Sequence, residues 1–98
     1  MNISYQIYER GNDVLLAACD KELLGKKFEE EEIQLDVSES FYGGDEADKE
    51  KICDEIKRSN IVNLVGENII NAVIQAGFGN KEDILWIDGT PHLQLIMI

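Results

Sequence analysis

Polar and apolar positions alternate over "ISYQIYE", with Ile3, Tyr5 and Ile7 on one side and Ser4, Gln6 and Tyr8 on the other. That is the period of a strand with one packed face. Turn-forming residues follow in "RGND", then an unbroken apolar run, "VLLAAC". Together they predict a β-hairpin whose second strand is buried on both faces and central in its sheet. Asp20 stands where an N-cap would, and "KELLG" predicts one or two helical turns stopped by Gly25. In "EIQLDVSE" the alternation returns: Ile33, Leu35 and Val37 face a core and Gln34, Asp36 and Ser38 face away. The four carboxylates from Glu29 to Glu32 just before it read as a solvated loop or the start of that strand. They would hold a cation only if the backbone folded them into a cage.

The period then lengthens. Asp45 is placed to cap a helix running to about Ser59, with Asp48 adding negative charge to the first turn. Ile52, Cys53 and Ile56 form a narrow apolar stripe, the mark of a helix with one buried side. Ser59 or Asn60 breaks it. "IVNLVGENIINAVIQA" is apolar around most of its circumference and predicts a second, more buried helix across the sheet. Gly66 in its middle costs about 1 kcal/mol relative to Ala, and close approach of a neighbouring backbone accounts for it. Gly77 ends the helix and sets Phe78 to pack back on Val73 in a Schellman motif. "DILWI" and "HLQLIMI" close the chain as two strands around the turn-forming "DGTP". Strands thus cluster at both ends with two consecutive helices between. The expected fold is one α+β domain over residues 1–98, two-layered, with a mixed, mainly antiparallel sheet of about five strands and both helices on one face.

Composition narrows the functional classes. The 98 residues are 44% hydrophobic and 30% charged, enough for one folded core. Acidic residues outnumber basic ones 20 to 9, for a net charge of -11. Nucleic-acid backbones are bound mainly by Lys and Arg that displace counterions, so extensive direct nucleic-acid contact is not expected. A protein partner with a basic face, or a simple solubility requirement, fits better. The N-terminal stretch has no basic region ahead of an apolar core, and no run approaches the ~20 apolar residues of a membrane span. Cys19 and Cys53 sit apart among apolar neighbours, which predicts reduced thiols in a cytoplasmic protein.

Three groups of residues are candidates for chemistry. Cys19 and Asp20 end the central strand, where α/β sheets often carry functional groups. A thiolate there would need a base, and His92 is the sole histidine. Equally, a Cys in an "AAC" run is an ordinary small core residue. In "GTPHLQ" the alternation puts His92 and Gln94 on one face with Ile96 and Ile98, and Leu93, Leu95 and Met97 on the other. His92 and Gln94 there either read a polar ligand or partner backbone, or His92 caps a loop carbonyl. "SESFYGG" (residues 38–44) offers Ser40, Tyr42, Gly43 and Gly44. An anion ahead of the next helix is opposed by Asp45, Glu46 and Asp48, and base stacking on the aromatics lacks a cationic groove. What remains is a strand-to-helix corner plugged by Phe41, with Tyr42 turned to a partner. No metal site is expected: one His and two separated Cys make no zinc tetrad. No phosphate-loop or dinucleotide fingerprint is present, and no cofactor is implied.

"LLAACDKELLGKKF", "LDVSESFYGG", "NLVGENIINAVIQAGF" and "GTPHLQLI", in that order, resemble the archaeal family catalogued as domain-of-unknown-function family 424. The resemblance spans nearly the whole chain. It departs at Thr90, where the family often has a hydrophobic residue. It implies an archaeal cytoplasmic protein, loosely associated with translation genes, and carries over no catalytic residue. The expectation is a non-enzymatic protein-interaction module, accessory to translation or RNA processing, that presents the SESFYGG and GTPHLQ segments to a protein partner. The alternative is a small-ligand binder or enzyme using Cys19, Asp20 and His92.

Overall fold

The computed structural model describes residues 2–97. Six strands form the main sheet: β1 (Ile3–Arg10), β2 (Asp13–Asp20), β5 (Asp45–Ala47), β6 (Ile61–Val65), β7 (Leu85–Ile87) and β8 (Thr90–Ile96). Their spatial order is β5-β1-β2-β6-β8-β7. All neighbours run antiparallel except β2 and β6, which are parallel. The sheet is therefore mixed, as the alternation of strands and helices requires, with six strands where about five were expected. The long connection between β2 and β6 carries α2 (Lys49–Ile56), and α3 (Glu67–Gln75) follows β6.

Both of these helices lie on one face, as their stripes predict. Ile52 and Ile56 of α2 and Ile69, Ile70 and Val73 of α3 pack on Ile3, Leu16, Ala18, Val62, Leu64 and Leu93. Asp48 caps α2, its carboxylate accepting the Lys51 amide at 3.0 Å. Asp45, expected in that role, instead lies in β5, paired with Tyr5 of β1. At the end of α3 the Schellman pair forms as expected: Phe78 N–H donates to Val73 O (3.1 Å) and Gly77 N–H to Ile74 O (3.0 Å).

The opposite face is also covered, so the domain has a partial third layer that the two-layer expectation lacks. A separate hairpin, β3 (Lys27–Glu30) and β4 (Ile33–Asp36), and the single-turn helix α1 (Glu39–Tyr42) supply it. Leu35, Val37 and Tyr42 from these pieces bury Ala17, Cys19, Val65 and Ile87 of the sheet. The acidic run forms the end of β3 and the hairpin turn, where Glu31 takes a positive φ of 56°.

The largest correction falls on residues 61–76. One continuous helix was expected, and a strand, a glycine and a helix are found. Gly66 sits at φ 116°, ψ 147°, a conformation that ends β6 and turns the chain into α3.

Candidate functional site

The register of the sheet arranges the face beneath α1 and the β3–β4 hairpin into transverse rows. One row holds Cys19, Val65, His92 and Leu85, and the next holds Gln6, Ala17, Asn63 and Gln94. A third row runs through Tyr8, Leu15, Ile61 and Ile96. The first row is mostly roofed and the third is largely open.

A polar network marks the boundary between the two. Tyr42 reaches down from α1 and its hydroxyl donates to Asn63 Oδ1 at 2.6 Å. The same oxygen lies 2.9 Å from His92 Nε2. A carboxamide oxygen only accepts, so Nε2 carries the proton and Nδ1 is the ring's unprotonated nitrogen. Burial pushes the His92 pKa below its usual value and holds the neutral ring. Burial also raises the Tyr42 hydroxyl, with nearby Cys19 adding to the effect. Both groups therefore sit in their neutral forms at pH 7, and the Tyr42 proton is aimed at an amide oxygen rather than at a base. That is an arrangement for holding α1 on the sheet, not for moving protons.

Tyr42 is consequently the plug of the SESFYGG corner, only 3% exposed, and not the partner-facing residue expected there. Phe41, expected to be the plug, is half-buried instead. It stacks on Tyr8 with ring centroids 5.4 Å apart, and meets Tyr42 edge-on at 4.9 Å. The Tyr8 hydroxyl donates to Phe41 O at 2.8 Å, and Ser4 Oγ donates to Tyr42 O at 2.8 Å, so β1 grips the corner from below. Gly43 is buried, and a Cβ there would meet Glu39 O at 2.5 Å. Its smallness serves close backbone approach. Ser40 and Gly44 are exposed.

His92 and Gln94 do share a face, with His92 half-buried in the network and Gln94 exposed. Ile96 joins them as expected, and Ile98 lies outside the described residues. Asn63, the hub linking the two candidate segments, was missed because "IVNLV" was read as helix. Its signal was the lone polar residue alternating with Ile61 and Val65.

The thiol candidates do not assemble. Cys19 is 0% exposed, and burial, with Asp20 and Glu22 nearby, pushes its thiol up to about 12. Val65 stands between it and His92 in the row, two strand spacings or about 10 Å across. Asp20 points elsewhere. Its carboxylate accepts the amides of Asn68 (3.0 Å) and Ile69 (2.9 Å), so it caps α3 and not the short turn after it. Burial raises its pKa, opposed by those two bonds. A cleft of about 230 Å³ opens beside it, between Glu22, Glu67, Asn68, Gly89 and Pro91. With three carboxylates and no cation it repels anions, and no group of metal-ligating side chains forms among the described residues.

Residues 8–98 match the family described as a protein of unknown function, DUF424. The chain belongs to that family. Among solved structures, the chain is similar to the crystal structure of an uncharacterised conserved protein from Methanopyrus kandleri. It is 28% identical, covers 97% of this chain and 90% of that one, and superposes with a TM-score of 0.80. No curated protein matches. No helix among the described residues is long and apolar enough to cross a membrane.

Proposed function

We propose that this DUF424 protein is a protein-binding module, whose contact surface is the open part of the sheet face beside α1. The observation that carries the reading is the row Tyr8, Leu15, Ile61 and Ile96, apolar across four adjacent strands. Its exposure grows from half-buried Tyr8 and Leu15 to 37% at Ile61 and 68% at Ile96. Apolar side chains left on a sheet face, bordered by Gln94 and by Phe41 stacked on Tyr8, suit a protein contact with an apolar centre and a polar rim. The net charge of -11 selects a partner with a basic rim. The neutral Tyr42–Asn63–His92 network, in which the Tyr42 hydroxyl donates to an amide oxygen, and the buried Cys19 supply no nucleophile–base pair, which favours binding over catalysis.

The test is capture of partners from native lysate by wild type, by Gln94→Ala with Ile96→Asp, and by Lys57→Ala at the C-terminal end of α2, a helix on the opposite face of the sheet. The expected result is a basic protein retained by wild type and Lys57→Ala. Its recovery falls at least about tenfold with the double variant and weakens as salt rises. Equal recovery by all three would refute this surface.

A further inference from the structure

The two sides of β8 are not equally paired. Gly66 N–H donates to Pro91 O at 3.0 Å, and Met97 N–H donates to Asn60 O at 2.7 Å, both on the β6 side of the strand. In an antiparallel ladder successive residues direct their backbone groups to opposite sides. Odd-numbered residues of β8 therefore bond toward β6, and His92, Gln94 and Ile96 direct theirs away from it. The pairing with β7 agrees. Pro91, which has no N–H, faces Trp86, and the tight Asp88-Gly89 turn makes Thr90 and His92 the residues that bond to Ile87 and Leu85.

β7 is shorter than β8 and stops opposite His92. Beyond that point the outward N–H and C=O of Gln94 and Ile96 have no backbone or side-chain partner among the described residues. The segment leading into β7 passes over the helix side of β8, where Gly79 lies against Leu93 and Leu95. Both Gln94 and Ile96 are exposed. An unpaired, uncharged margin of this kind is a template for another strand.

We infer that an extended, basic segment of a partner protein docks by adding as a strand along the outer edge of β8 at Gln94 and Ile96. This rests on the protein-binding reading above and states how that surface is used. Main-chain bonds to these two residues would supply affinity independent of sequence. Every second side chain of the added strand would fall on the same face as Ile61 and Ile96, and would prefer to be apolar. A second copy of this chain is disfavoured as the occupant, because each copy carries a charge of -11 and would bring it to the contact. An excess of Lys and Arg in the incoming segment fits instead.

The experiment uses amide exchange by NMR on the full chain with a ten-residue peptide alternating lysine and valine. Exchange at Gln94 and Ile96 is expected to slow at least about tenfold at saturating peptide. The same peptide N-methylated along its bonding edge should give no protection. Gln94→Pro removes one outward N–H and leaves the β6 ladder intact, and should abolish protection at Ile96 while the circular dichroism spectrum is unchanged. The inference is overturned if the peptide binds without protecting these amides, if the N-methylated peptide protects equally, or if nothing binds at millimolar concentration. Protection that appears with protein concentration alone assigns the edge to a second copy and overturns the basic-segment occupant. These outcomes are separate from the capture test. An indifferent peptide with partner recovery still dependent on Ile96 leaves the binding surface standing and removes only the strand-addition mode.

Discussion

The carboxylate of Asp20 occupies the space where a side chain on Gly66 would stand. A Cβ built on Gly66 collides with Asp20 Cγ. Gly66 is the N-cap position of α3 and has no side chain to offer its free amides. Asp20, brought alongside by the parallel pairing of β2 and β6, bonds to Asn68 and Ile69 in its place. The helix is thus capped by a residue 48 to 49 positions earlier in the chain.

Removing either member of this pair should cost stability in a coupled way. Asp20→Ala leaves two helix amides unpaired, that of Ile69 buried and that of Asn68 partly so, and should lower unfolding free energy by about 2–3 kcal/mol. Gly66→Ala adds strain at a φ of 116° to the collision with Asp20, and should cost a similar amount or more. In the double variant the clash with the carboxylate is gone and only the close approach to the Cβ of residue 20 (2.8 Å) remains, so its loss in urea unfolding should be smaller than the sum. Strict additivity would mean the two residues are not in contact.

The Asn63 hub gives a graded series. Tyr42→Phe removes one bond and leaves Asn63 paired with His92, for a loss of about 1 kcal/mol. Asn63→Leu orphans both the Tyr42 hydroxyl and the His92 N–H, and should cost about 2–4 kcal/mol and loosen α1. Thermal unfolding compares the variants, and equal losses would argue against a shared acceptor.

Thiol labelling at pH 7.5 should distinguish the two cysteines. Cys53 is half-buried in α2 and should react slowly with an aromatic disulfide in the folded protein. Cys19, fully buried and raised to about 12, should stay unlabelled until denaturant is added. Rapid reaction of Cys19 in the native state would restore it as a chemical site.

His92 sets a direction for pH dependence. Its pKa is lowered in the folded protein, so the folded state disfavours the charged ring. The stability it contributes is present above the usual value of 6.5 and is lost as pH falls through the lower folded value. Between pH 7.5 and 5.5 the wild-type melting temperature should fall more than that of His92→Gln, whose amide N–H can still reach Asn63. Parallel curves would place His92 in solvent.

Much of the frame was legible in the chain. The alternation in "ISYQIYE" and "HLQLIMI" assigned the correct faces for residues 3–8 and 92–97, because a two-residue period has one geometric solution. "VLLAAC" marked a strand buried on both sides, and Ile52 and Ile56 marked the inner side of α2. The region 61–76 was not legible by the same means. An apolar run has no period, so β6 and α3 look alike until the φ of Gly66 divides them.

The sequence by itself determined the α+β class of the fold, the family and the net acidic charge. These follow from local periodicity, turn chemistry and charge, which depend on near neighbours in the chain. Tertiary structure alone decided that Tyr42 and not Phe41 fills the core, that Asn63 joins Tyr42 to His92, and that Asp20 caps a helix far along the chain. It also decided that β7 ends early enough to leave the outward backbone groups of Gln94 and Ile96 without a partner among the described residues. Each of these depends on which strands are neighbours and in what register, and that is set by the packing of the whole domain rather than by any single segment.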